Sequence, residues 1–312
     1  MPAIEYRVPA DSPPQRLDVF LARVLPNGSR QRAQTLIASD AVRVNGRRRT
    51  KGSLVATGDV VRVEGDAAAS PAALPDNPDL RVPILYEDPD ILVVDKPAGM
   101  PSHALRLDER TTLANFLVTH FPDLRTVGPK PGEVGLVHRL DTDTSGLLLV
   151  ARNEAAYSSL RGQFAQRAIT KEYVAVVGGD LSQAGEIHFP IAHDPRNPRR
   201  MRACVSADEA HARRARPALT RYRPLQRGDH ATLVAVEIPT GVMHQIRVHL
   251  ATIGHPIVGD DRYGGAPAVR QLLHARRITF AHPRTGRRVN VESPAPRDIE
   301  DYLAEHVRRR PK

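Results

Sequence analysis

Short apolar runs separated by turn residues constrain this 312-residue chain more than any other feature. Ile91–Val94, Leu147–Val150, Tyr173–Val177, Ala231–Ile238 and Leu272–Phe280 have the length and the Val, Ile and Leu content of strands. Two helices stand out beside them. Asn153 is placed to cap one that runs to Arg167 with Tyr157, Leu160 and Phe164 at helical spacing. The other, His244 to Ile253, sets Ile246, Leu250 and Ile253 on one face and is stopped by Gly254. Strands joined by hairpins as well as helices predict an α+β body with a mixed, mostly antiparallel sheet.

The front of the chain follows its own pattern. Leu17, Phe20, Leu21 and Leu25 recur periodically, and a second helix, capped by Ser29, carries Arg30, Arg32 and Leu36. Two short strands follow, one ending in the Asn45-Gly46 turn and one at Asp59–Val63. Residues 14–66 read as a small α/β domain, 67–79 as a linker rich in Ala, Pro and Asp, 80–300 as the main domain, and 301–312 as a basic tail.

Charge narrows the partners. With 45 Lys and Arg against 35 Asp and Glu, the net charge is +10, and Arg carries the excess. Guanidinium forks bind phosphate bidentately and stack on bases, so nucleic acid is the expected partner. Arg30, Arg32, Arg43 and Arg47 form one cationic group, and a basic arm from Asp194 to Arg216 includes Arg199 and Arg200. No apolar run reaches the ~20 residues of a membrane span, and the opening residues lack a signal-peptide layout, so a cytoplasmic protein without membrane contact is expected. The single Cys204 excludes an internal disulfide and a thiolate zinc cage, and no His-Glu-x-x-His pattern occurs.

Between two apolar runs, residues 134–150 set Asp141 on a polar loop with His138 and Arg139 just before it. Such surroundings keep a carboxylate ionised for catalysis, although a merely solvated loop acid would read the same way. Asp143 keeps open a two-carboxylate arrangement of the glycosidase kind.

His138-Arg139-Leu140-Asp141, followed by Thr142-Asp143-Thr144-Ser145-Gly146, resembles the signature loop of the RluA-like pseudouridine synthases. The resemblance continues through Leu85–Gly99, Phe164 to Tyr173, Ala218–Thr220, Thr240–His249, Gly254–Gly264, Leu272–Ala275 and His282–Gly286, and covers roughly residues 82–298. The front domain is similar to the small S-four-like RNA-binding module that several members carry. What the resemblance implies is a pseudouridine synthase fold that isomerises uridine in structured RNA, ribosomal or transfer, as a monomer without cofactor or metal.

By the same match Asp141 is the catalytic carboxylate, Arg247 its partner cation and Tyr173 the residue against the uracil. Arg139 would fill the gap left by a flipped base, and His138, Lys171, His244 and Gln245 would contact RNA. Asp143 is expected to be structural. Three departures stand out: Val242 and Met243 follow Thr240-Gly241 where the family usually has arginine, the turn reads Asp95-Lys96-Pro97 rather than Asn-Lys-Pro, and Ser102-His103-Ala104 replaces His-Pro-Gly. Two readings compete: a non-catalytic RNA-binding protein of the same fold, and a phosphoesterase built on His244 and His249.

Overall fold

The computed structural model describes residues 3–25, 28, 30–64, 74–104, 109–129 and 132–307. The expected cap Ser29 and the tail residues 308–312 lie outside them, as do residues 65–66 of the expected front domain and 67–73 of the expected linker. The chain divides into two units, Met1–Ala73 and Leu74–Lys312.

In the first unit, β1 (Ile4–Arg7), β2 (Gln15–Arg16), α1 (Leu17–Val24), α2 (Arg30–Ala38), β3 (Val42–Val44), β4 (Arg47–Arg48), β5 (Leu54–Val55) and β6 (Val60–Val63) follow in order. A four-stranded sheet runs β1-β6-β3-β4, all antiparallel, and β2 pairs with β5. Asn45 and Gly46 both take positive φ, 49° and 76°, as the tight turn between β3 and β4 requires. Phe20 and Leu21 of α1 pack with Ala33, Val42, Val44, Val61 and Val63 in this unit's own core.

The second unit comprises β7 (Ile84–Glu87), β8 (Ile91–Lys96), α3 (Leu113–His120), β9 (Ser145–Ala151), α4 (Glu154–Ala165), β10 (Thr170–Gly178), β11 (Gly185–Ile187), β12 (Ile191–Asp194) and β13 (Asn197–Ala203). It continues with α5 (Ala207–Ala212), β14 (Thr220–Arg227), β15 (Ala231–Glu237), α6 (Gln245–Thr252), β16 (Leu273–Ala281), β17 (Arg288–Glu292) and α7 (Arg297–His306). Its main sheet runs β11-β14-β15-β10-β16-β9-β8-β7, with β17 also on β16. Among the described residues only β9 and β16 pair in parallel; the other pairs are antiparallel, so the α+β body with a mostly antiparallel sheet is the architecture observed. Strands β8 and β9 are buried almost throughout, which is why their sequences are continuous apolar runs rather than alternating ones. Among the described residues no helix is long and apolar enough to cross a membrane.

Several features differ from the sequence expectation. Residues 74–79, read as the end of a linker, are tied down: Asn115 Nδ2 donates to Pro75 O at 2.9 Å and Asn77 N to Thr119 Oγ1 at 2.8 Å. Residues 301–306, read as the start of a tail, complete α7. The basic arm is the β12–β13 hairpin followed by the short helix α5.

The parallel contact of β9 with β16 depends on Gly146. Its φ is 112°, and a Cβ there would stand 2.3 Å from Ala275 O. Gly146→Ala is therefore expected to destabilise the fold by about 2–4 kcal/mol, as read by urea unfolding.

Candidate active site

The loop that carries Asp141 opens just before β9 and is fastened by buried polar groups from several elements. Lys96, at the end of β8, has a fully buried ammonium that donates to the carbonyls of Pro97 and Met100 at 2.8 Å and of Thr142 at 3.0 Å. Burial pushes its pKa down to about 7, against the pull of Asp143 and Asp141. Ser102 Oγ donates to Leu140 O at 2.9 Å and accepts from Leu140 N at 3.1 Å. Gln271 Nε2 donates to Thr144 Oγ1 at 2.8 Å. The loop closes on itself as a turn, with Thr144 N donating to Asp141 O at 3.1 Å.

Arg247 projects from α6 and is held from two sides. Its Nε and Nη2 donate to the two oxygens of Asp260 at 2.7 and 2.9 Å, and its Nη1 donates to Asp141 Oδ2 at 2.9 Å. Burial opposes this charge, and the two carboxylates more than offset it, so the guanidinium pKa is raised. The Asp260 fork fixes the plane of the cation before Asp141 meets it. His244 Nε2 stands 3.8 Å from the same Asp141 oxygen. Arg247 is thus the donor on Oδ2, with His244 nearby, and among the described residues nothing hydrogen-bonds Oδ1.

Asp141 lines a groove of about 740 Å³, a size suited to a nucleotide-scale ligand. Arg139, Lys171, Tyr173, His244 and Arg247 also face it, with apolar walls from Phe164, Ile169 and Met243. Tyr173 is buried, and burial together with the charge of Asp141 raises its pKa above the ordinary phenol value. Its ring therefore meets a ligand as a neutral phenol. Lys171 Nζ lies 5.6 Å from the Phe164 ring centroid, and burial pushes its pKa down to about 8. Burial, opposed by Asp141, pushes His244 down to about 4, so the imidazole is neutral near pH 7.

Other candidates are engaged within the protein or lie apart from the groove. Gln245 is buried with its amide fully engaged: Nε2 donates to Leu219 O and Thr220 Oγ1, and Oε1 accepts from Thr240 Oγ1 and Val242 N. It builds the Thr240–Gly241 turn and has no group left for RNA, contrary to expectation. His138 lines the groove, but its Nε2 accepts from Leu149 N at 3.0 Å, and burial with the nearby charges of Lys171 and His103 pushes its pKa down to about 3. It can offer RNA only an uncharged Nδ1 edge. His249 is buried, with Nδ1 2.8 Å from Thr220 Oγ1 and Nε2 2.8 Å from Phe189 O, which leaves no histidine pair for a phosphoesterase. Asp143 is exposed and is not among the groove residues.

Within the first unit, Arg30 pairs with Asp18 at 3.4 Å and Arg43 with Glu64 at 3.6 Å, while Arg47 is exposed and Arg32 half-buried. On the arm, Arg199 is exposed and the Arg200 guanidinium lies 5.3 Å from the ring centroid of Tyr263. Val242, the departure from arginine, is buried with Ile191, Met201, Ala203, Ala218 and Tyr263, so it helps root the arm and gives the groove it lines no charge.

Lys96, Asp260 and Tyr263 received no role from the sequence. Their signals were present, in the Lys-Pro turn after β8 and in Gly259-Asp-Asp-Arg-Tyr-Gly264, but nothing local distinguishes a buried carboxylate from a solvated one.

Comparisons with known proteins give the family. The family described as RNA pseudouridylate synthase matches residues 90–252, and the S4 domain matches residues 15–61. Ribosomal large subunit pseudouridine synthase D of Nitrosomonas europaea is 37% identical over 316 residues, 96% of this chain and 87% of that protein. YlyB of Bacillus subtilis, an uncharacterized RNA pseudouridine synthase, is 36% identical over 315 residues, 99% of each chain. Among solved structures, human RNA pseudouridylate synthase domain containing 1 is 31% identical with a TM-score of 0.57, covering 69% of this chain and 84% of its own. With a front S4 domain and a matched catalytic region, the chain belongs to the RNA pseudouridylate synthase family and is a pseudouridine synthase.

Proposed function

We propose that this enzyme converts uridine to pseudouridine in large-subunit ribosomal RNA, acting in the cytoplasm as a monomer without a cofactor, with Asp141 as its catalytic carboxylate. The observation that carries the assignment is the Asp141 carboxylate at a cationic groove, gripped through Oδ2 by Arg247 and open at Oδ1. The ribosomal substrate rests on relatives named for it and on the S4 domain.

The reaction breaks the bond between C1′ and N1, turns the uracil, and joins C1′ to C5, from which a proton is lost. An ionised carboxylate serves the first step as nucleophile at C1′ or as base at the adjacent carbon, and either role needs one free oxygen. Arg247 pairs with Asp141 through one oxygen and fixes its rotamer. Tyr173 lies against the uracil as a neutral ring and orients it for rejoining. Arg139, exposed at the groove, stacks where the target base leaves the RNA.

Unmodified large-subunit ribosomal RNA and transfer RNA transcripts, tritiated at uridine C5, test the substrate. Tritium release from the ribosomal transcript alone is expected; release from transfer RNA alone overturns the substrate, and release from neither overturns the whole reading.

The charge of Lys171 gives the RNA contact a pH dependence. It is present near pH 7 and lost as pH rises through about 8. RNA affinity by filter binding should weaken severalfold from about pH 7 to 9, and Lys171→Arg should remove that dependence. Fold stability moves oppositely: between about 8 and the ordinary lysine value of 10.5 the unfolded chain holds more protons, so rising pH favours the folded state.

A further inference from the structure

Tyr263 stands where the arm, His244 and Arg247 meet. Its hydroxyl accepts from Met201 N, on β13 of the arm, at 2.9 Å and lies 2.9 Å from His244 Nδ1. With Met201 N–H donating to the oxygen, the phenol proton is available to His244 Nδ1, and in the tautomer that accepts it the imidazole proton sits on Nε2, the nitrogen 3.8 Å from Asp141 Oδ2. The ring stands 5.2 Å from the Arg247 guanidinium and 5.3 Å from that of Arg200, within reach of cation–π attraction. His244 is held in the left-handed region at φ 55°, and its ring meets that of Tyr263 edge-on with centroids 5.8 Å apart. Tyr263 also packs with Ile191, Met201 and Ala203 at the root of the arm, beside Val242.

We propose that Tyr263 is a positioning residue that ties the β12–β13 arm to Asp141, so that seating the arm on RNA through Arg200 aligns His244 and Arg247 for the reaction. A guanidinium stacked on the phenol ring keeps its N–H edge for a phosphate, so Arg200 holds RNA and ring together. The inference rests on the function proposed above, and it adds that the arm contributes to turnover as well as to affinity.

The test uses the full-length protein and whichever tritiated transcript the wild type converts. Tyr263→Phe keeps the ring and removes the hydroxyl joint. It should lower kcat about 10-fold, the worth of one hydrogen bond to an aligned group, with KM within about twofold. Arg200→Ala should lower kcat about 3–5-fold as well as weaken RNA binding; in the Tyr263→Phe background it should weaken binding only. Tyr263→Phe with a lowered Tm but unchanged kcat would make the residue a packing element and overturn the proposal. So would additive kcat losses in the double variant. Should Tyr263→Phe not fold, the exposed Arg200→Ala decides alone, an unchanged kcat refuting the coupling. A wild type that releases no tritium from either transcript defeats the proposed function itself, and this inference with it.

Discussion

Asp141→Asn should reduce tritium release by about 10⁴-fold or more while leaving RNA affinity within a few-fold. The side chain is nearly isosteric, and its carbonyl oxygen can still accept from Arg247 Nη1, now 2.9 Å from Oδ2. Arg247 keeps its two bonds to Asp260, so no buried charge is stranded and the fold should survive. What disappears is the negative charge at the free oxygen, and an amide is neither an effective nucleophile nor a base at a sugar carbon. Affinity is spared because the groove cations Arg139 and Lys171 remain, and removing a negative charge near RNA phosphates costs no attraction. Filter binding and tritium release on one preparation check both halves. An Asn variant that still turns over disproves the catalytic assignment, and one that loses binding and turnover together makes Asp141 a support for the groove.

Much of the fold was legible because burial on both faces of a strand leaves a mark in sequence. Ile91–Val94 and Leu147–Val150 read as strands and lie in β8 and β9. Asn153 caps α4 by accepting from Ala156 N at 2.9 Å, the local bond that its position implied. The place of Asp141 at the groove was legible for a different reason: an acid on a polar loop between two apolar runs is displayed by the chain itself. The supports beneath it were not. Asp260 and Lys96 are polar residues whose burial is decided by partners far along the chain, with Asp260 on Arg247 and Lys96 on the Thr142 carbonyl. Gln245 misled for the same reason in reverse, since a polar residue beside a binding motif looks available until the turn that consumes its amide is seen. The segment 74–79 looked like linker because bonds between its backbone and the Asn115 and Thr119 side chains of α3 leave no compositional trace.

Arg247→Met is expected to damage stability and activity by separable routes. The Arg247 side chain is 8% exposed and that of Asp260 is 0% exposed, and among the described residues Arg247 is the cation on that carboxylate. Methionine fills much of the volume but leaves Asp260 charged, buried and unpaired, a loss of about 3–5 kcal/mol. The second substitution, Asp260→Leu, removes the stranded charge; replacing a buried ion pair by apolar groups of similar volume is often close to neutral, so Arg247→Met with Asp260→Leu should return to within about 1 kcal/mol of the parent in urea unfolding. Activity should not return. Asp141 would still lack the donor on Oδ2 that holds its direction, and tritium release should stay down by about 10²-fold or more in both variants. A double variant that recovers turnover along with stability would mean that Arg247 serves only to neutralise Asp260. One that recovers stability alone separates the two tasks of a single guanidinium, balancing a buried acid on one edge and aiming a reactive one on the other.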